Sequence, residues 1–153
     1  MALSKVIWVT PTVGTAIYAS GDQMGPAVEI PEALDNTSGA ALIETIVVVD
    51  SAKQSAALEL LFFRAAPTIT STDNNALDIA DSEMVSKLVG RIAVPAAGYV
   101  STNVNSDTTI RNIGLRVQGT AATRSLWVVL QSLGTPTYAA ATDLKIGIGL
   151  TQD

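Results

Sequence analysis

Carboxylates, lysines, arginines, tyrosines and hydroxyls are the only side chains in this sequence that could do acid–base or nucleophilic chemistry, because histidine and cysteine are both absent. Their absence removes the usual general base, the neutral metal ligand and the thiolate nucleophile together. A serine nucleophile would then need a lysine base within reach. Ser4-Lys5 and Ser86-Lys87 are adjacent pairs, and neighbours in an extended strand point to opposite faces. Glu44 and Glu59 lie on two successive apolar runs. A hairpin turning near Lys53 would set Glu44 opposite Phe62, so these two carboxylates do not meet. Neither a phosphate-binding loop nor a dinucleotide fingerprint is present. These residues predict no enzymatic activity.

The acidic stretch Asp73-Asn74-Asn75, Asp78, Asp81 and Glu83 is the best candidate for a ligand site. Oxygen-only ligands suit Ca²⁺, yet the spacing is not that of a helix–loop–helix calcium loop and lacks its turn glycine. Asn and Asp also make turns and cap helices. Calcium stands as the alternative, and no metal or cofactor is the expectation. Asn36-Thr37-Ser38 matches a glycosylation acceptor. The N-terminus carries one lysine and too short an apolar stretch for a signal peptide, so that triplet reads as a turn.

Interfaces are anchored most often by Trp, Tyr and Arg, which makes Trp8, Arg111, Arg116 and Arg124 the interface candidates. For Trp8 and Trp127 the competing reading is core, since aromatics make up 5% of the chain. Charged residues make up 15%, well under the ~25% of an ordinary soluble domain. Much of the exterior must therefore be Ala, Thr, Ser, Gly and Asn, a surface suited to lasting contact with neighbours. A net charge of −5 argues against a nucleic-acid partner, whose phosphates call for basic residues. No apolar run approaches the ~20 residues of a membrane span. The charge is uneven: Lys5, Lys53 and Arg64 face eleven carboxylates up to Glu83, whereas six basic residues face three carboxylates from Met84 on. Such a division would make the domain dipolar, unless the two halves interleave.

The elements that position these residues are short β-rich runs bounded by Gly, Pro, Asn or Asp. Leu144–Thr151 alternates large aliphatics with Lys, Gly, Gly and Thr, the period of a strand with one buried face. Its glycines leave the second face flat, so that another element can approach closely. Leu42–Val49 and Ala56–Phe63, joined by Asp50–Ser55, read as a hairpin of two central strands. Val6–Thr10, Leu88–Val94, Tyr99–Val104, Thr109–Val117 and Leu126–Gln131 are further strands. Ser82–Lys87 reads as a short helix capped by Asp81, with Glu83 in its first turn. The expected fold is all-β: an antiparallel β-sandwich or jelly roll with one short helix, residues 1–153 forming a single domain. Residues 1–31, rich in Thr, Gly and Pro, read either as an extended arm or as a strand of the same sandwich.

Asp50 with Lys53-Gln54, Leu58-x-Leu60-x-Phe62-Phe63, Asp73-Asn74, the short helix followed by Gly90, Gly134-Thr135-Pro136-Thr137-Tyr138, and a strand from Asp143-Leu144 to Gln152-Asp153 form a pattern over residues 40–153. It resembles small β-sandwich virion-associated proteins of tailed bacteriophages, of the head-decoration or cement kind. The resemblance implies a structural virion protein, assembled in the host cytoplasm, that binds the major capsid protein or other virion proteins. It would stabilise the outer head shell as a homo-oligomer, a trimer being favoured by the three-fold positions of icosahedral shells. A tail, neck or fibre component would share this composition. A carbohydrate-binding module is a third alternative, disfavoured by a total of five Trp and Tyr.

Overall fold

The computed structural model describes residues 3–153. Ten strands and one helix follow in order: β1 Leu3–Val9, β2 Val28–Ile30, β3 Ala40–Asp50, β4 Leu58–Phe63, α1 Asp81–Lys87, β5 Leu88–Val94, β6 Val100–Ser101, β7 Ser106–Ile110, β8 Leu115–Gln118, β9 Leu126–Ser132 and β10 Leu144–Gln152. Sheet one runs β1-β10-β3-β7-β6, with β8 also pairing β3; sheet two runs β2-β9-β4-β5. Every pairing is antiparallel. The chain is thus an all-β sandwich with one short helix.

Its connectivity is that of a long ribbon folded over. β1 pairs β10, β2 pairs β9, β3 pairs β7 and β8, and β4 pairs β5. Taking β7 and β8 as one interrupted strand and setting aside the two-residue β6, the order 1-10-3-7 facing 2-9-4-5 is a jelly roll. Leu144, Ile146, Ile148 and Leu150 of β10 point inward and are buried, and Lys145 points out, as their alternation requires.

Three local expectations are corrected. β3 and β4 are not a hairpin, because they belong to different sheets. Both flanks of β3 are taken by β10 and by β7 and β8. The buried Asp50 carboxylate accepts the backbone N–H of Ala52 at 2.9 Å and of Ser55 at 2.9 Å. With Lys53 and Ser55 at positive φ, this knot carries the chain across the core instead of back along the sheet. Glu44 and Glu59 consequently lie on different sheets. The run Thr109–Val117 is two strands, broken where Asn112 and Gly114 adopt positive φ and the Ile113 N–H donates to the Glu44 carbonyl at 3.1 Å. Asp81 does not cap α1. Ala80 is the N-cap residue, and its carbonyl accepts the N–H of Glu83 and Met84, leaving Asp81 exposed inside the first turn.

The core lies between the inner faces, where Ile43, Ile46 and Val48 of β3 meet Leu58, Leu60 and Phe62 of β4. Tyr18 and Tyr138, edge to face with centroids 6.3 Å apart, fill the end of this layer and are both buried. A second, smaller cluster sits on the outer face of sheet two. Leu61, Phe63 and Val129 are covered there by Ile69, Leu77, Ile79, Met84 and Trp127. The segment between β4 and β5 therefore acts as a lining for one sheet. The described part of residues 1–31 lies on the same sandwich: β1 is the edge of sheet one, and Val13, Tyr18 and Met24 are buried. N-terminal strands β1 and β3 alternate with C-terminal β10, β7 and β8, so the uneven charge along the sequence does not become two charged faces.

Candidate functional site

Two surfaces of the sandwich are poor in charge, and each is built by residues distant in sequence. The first is the end where four connections converge: residues 10–27, 51–57, 95–105 and 133–143. Backbone bonds tie them together, from Val13 to Ala141, Tyr18 to Pro136 and Ser51 to Asp143. Gln54 Oε1 accepts the Thr137 N–H at 3.0 Å, and the Ser55 and Ser106 hydroxyls lie 2.9 Å apart. Asp22, Lys53 and Asp143 are the charged residues of these four segments, and each is engaged locally. Asp22 accepts the Ala19 N–H at 2.7 Å, Lys53 Nζ donates to the Thr102 carbonyl at 2.9 Å, and Asp143 accepts the Ala139 and Ala140 N–H groups. Ile17, Val104 and Leu133 project from this end at 63%, 70% and 40% exposure. Among the described residues no reactive cluster accompanies them.

The second surface is the outer face of sheet one. Strand parity and register place Val6 and Trp8 of β1, Lys145, Gly147 and Gly149 of β10, Thr45, Val47 and Val49 of β3, and Asp107 and Thr109 of β7 on this face. Val100, opposite Asp107, continues it on β6. Unlike sheet two, this face has no lining among the described residues. The glycines explain its shape. A Cβ on Gly147 would meet the Trp8 indole at 3.0 Å, so the ring lies over that glycine, and Thr45 occupies the space over Gly149. The elements approaching the flat face of β10 are thus side chains of its own two neighbours.

Trp8 is accordingly not core but half exposed, at 53%. Trp127, on β9, is half-buried on the outer face of sheet two. Arg111 lines a hollow beside Leu42, Glu44, Thr45 and Asn112 at the far end of sheet one. Arg116, on β8 in the same region, lies 3.9 Å from Asp153, with both side chains largely in solvent, an arrangement worth little. Arg124 is elsewhere, pairing Glu32 at 2.8 Å and donating to the Asp35 carbonyl. Trp8 and Arg116 thus lie on sheet one and Arg111 just past the end of its β7, and Arg124 does not join them. Sequence reasoning missed the loop end. Its signal was legible as three spans without charge, 6–21, 92–106 and 125–142.

The acidic stretch is dispersed. Asp73 Oδ1 accepts the Tyr18 hydroxyl at 2.6 Å and the Gly25 N–H at 2.8 Å. Burial, and then this bond to Asp73, pushes the Tyr18 phenol above its ordinary range. Asp78 and Asp81 are exposed, and among the described residues no three metal-binding side chains gather. Glu83 Oε2 accepts Lys87 Nζ at 2.6 Å and the Thr68 N–H at 2.8 Å. The Lys87 bond, followed by the Thr68 bond, holds the Glu83 carboxyl below its usual range. A depressed carboxylate contributes stability above its unfolded pKa and loses it as pH falls through the folded value. Hydrogen exchange of residues 81–87 is therefore expected to be slow at neutral pH and to gain protection-loss below the normal carboxylate range. Glu83→Gln should show the looser helix already at pH 7. Equal protection in both proteins at pH 7 would refute this clamp.

No protein-family model and no curated protein sequence matches the chain. Its structure is similar to a chain in the crystal structure of tomato aspermy virus, with 9% identity and a TM-score of 0.43 over 99% of this chain and 76% of that one. It is also similar to chains from Desmodium yellow mottle tymovirus (13%, TM-score 0.35, 99% and 80% covered) and from a heated full particle of Israeli acute paralysis virus (11%, 0.34, 99% and 67%). Likenesses of this size carry no functional argument; the jelly roll rests on the strand order itself.

Proposed function

We propose that this chain is a structural virion protein of the capsid-decoration or cement kind. It docks its charge-poor loop end on the outer shell of a phage head and stabilises that shell. The observation that carries this reading is the loop end itself. Four connections are hydrogen-bonded into one surface, its three charged side chains are hydrogen-bonded to the chain's own backbone, and Ile17, Val104 and Leu133 stand out from it. A jelly roll is a frame that capsid domains, lectins and cupins all use, so the surface and not the fold decides. The lectin-like alternative wants aromatic rings in solvent. Tyr18 and Tyr138 are buried, Tyr99 and Trp127 are half-buried, and Trp8 stands alone.

On this reading the partner is the major capsid protein or another virion protein, the location is the virion, assembled in the host cytoplasm, and no catalysis or cofactor is assigned. Docking through a charge-poor end has a salt signature: screening acts on charges, so binding should persist at high ionic strength. Co-sedimentation with undecorated capsids tests it. The wild-type chain is expected to pellet with capsids at low and high salt alike. Ile17→Asp or Val104→Asp should weaken binding roughly tenfold or more, the effect of losing an interface anchor. A correctly folded chain that ignores capsids at every salt concentration would defeat the proposal and favour a tail, neck or fibre address.

A further inference from the structure

We propose that the outer face of sheet one is the contact surface for a second copy of this chain, in a two-fold dimer whose axis runs along β3. The argument is one of register. Val49 of β3 stands opposite Lys145 on one side and Asp107 on the other. The two charges therefore sit at the same height, on the same face, one strand away from β3 in each direction. Two strand spacings, about 10 Å, separate them. Among the described residues neither makes an ion pair, and Lys145 Nζ donates to nothing but the Thr142 carbonyl, at 3.1 Å.

A two-fold axis along β3 exchanges the positions of β10 and β7 while preserving height. Lys145 of each copy then faces Asp107 of the other, forming two symmetric pairs, as an isologous interface requires. Val47 and Val49 lie on the axis and meet their own equivalents. The Trp8 indole, lying over Gly147, faces the β7 strand of the other copy, where Thr109 stands level with Val47. The competing two-fold, across the strands at the height of Val49, would set Lys145 against Lys145 and is rejected by charge. Glu44, the exposed charge on β3, lines a hollow with Arg111, so a cation accompanies it at that end of the axis, and its carboxylate accepts the Thr151 hydroxyl at 2.9 Å. Face-to-face sheets with nearly aligned strands pack about 10 Å apart.

An axis along the strands also leaves both loop ends pointing the same way. A dimer of this geometry could set two copies of that end on one shell, but the dimer does not depend on the shell. It replaces the trimer that the resemblance favoured with a two-fold contact whose partner residues are named.

The test is a charge exchange. In sedimentation velocity on the purified wild-type chain, at concentrations up to about 100 μM, where even a micromolar Kd is well exceeded, the expected species is a dimer. Lys145→Asp alone and Asp107→Lys alone each place like charges together and should weaken association tenfold or more. The double variant Lys145→Asp/Asp107→Lys should restore it, with circular dichroism confirming that all four proteins are folded. A monomeric or trimeric wild type would overturn the proposal. So would single variants that still dimerise, or a double variant as dissociated as the singles. Capsid binding is read separately, so failure of one proposal leaves the other standing.

Discussion

Replacing Phe63 with alanine is expected to cost about 3–5 kcal/mol of folding stability, as much as replacing Phe62, although the two side chains leave β4 on opposite faces. Phe62 enters the main core between the sheets, and Phe63 enters the outer cluster with Leu61 and Val129. Both rings are fully buried. In a bare two-layer sandwich the second substitution would be nearly neutral, because an outward ring on an uncovered sheet loses little when it is removed. Here residues 64–88 supply Ile69, Leu77, Ile79, Met84 and Leu88 as a roof over it. Removal of the ring leaves a cavity beneath a segment that is itself pinned, since the Arg64 N–H bonds the Lys87 carbonyl at 2.9 Å and the Thr70 N–H bonds the Asp78 carbonyl at 2.9 Å. The roof cannot simply settle, and it is incomplete collapse that makes such substitutions costly. Urea unfolding of the two variants side by side is the measurement. A loss under about 1 kcal/mol for Phe63→Ala, with Phe62→Ala in the expected range, would show that the roof contributes no packing.

The same roof marks how far the sequence could be read. The unalternating run Leu58–Phe63 does signal burial on both faces, and that is what β4 has. The pairing partners were not legible, because a folded ribbon joins strands far apart in sequence: Leu3 pairs with Gln152 and Ile46 with Ile110. Period-two patterns report which face is buried and are silent about which neighbour is bonded. Two apolar runs with a six-residue polar link resemble a hairpin locally, and what overrides this is the Asp50 carboxylate bonding Ala52 and Ser55. Trp8 shows the same limit from the other side. Val6-Ile7-Trp8-Val9 has no alternation from which to choose a face. The choice is made by β10, whose glycine at 147 provides a floor for the indole on the outer side. The loop end is a further case: its charge-free spans are plain in the sequence, but their convergence is a property of topology alone.

Gly25→Ala is expected to be the most damaging single methyl in the chain outside the core, at about 3 kcal/mol or more. Gly25 is buried at φ +75°, a left-handed conformation that costs an L-residue roughly 1–2 kcal/mol. Its added Cβ would also be driven into the backbone carbonyl of Thr12, an atom that cannot swing away, and overpacking of that kind costs about 1–3 kcal/mol. The position is tight because two segments meet there. Gly25 N–H and the Tyr18 hydroxyl both donate to Asp73 Oδ1, and the Gly14 N–H donates to the Tyr18 oxygen at 2.6 Å. One carboxylate oxygen thus fastens the crossing from β1 to β2 against the segment between β4 and β5. Tyr18→Phe removes two hydrogen bonds while keeping the ring, and should cost less, about 1–3 kcal/mol. For a chain of this size each kcal/mol lowers Tm by about 2–4 °C, so Gly25→Ala should melt roughly 6 °C or more below wild type and also below Tyr18→Phe. Ile17 rides on the same crossing, and loosening it should weaken the proposed capsid binding in step with the loss of stability. A Gly25→Ala protein that melts with the wild type would mean that the crossing is not held against Thr12. The rigid loop end on which the proposed docking depends would then lose its physical basis.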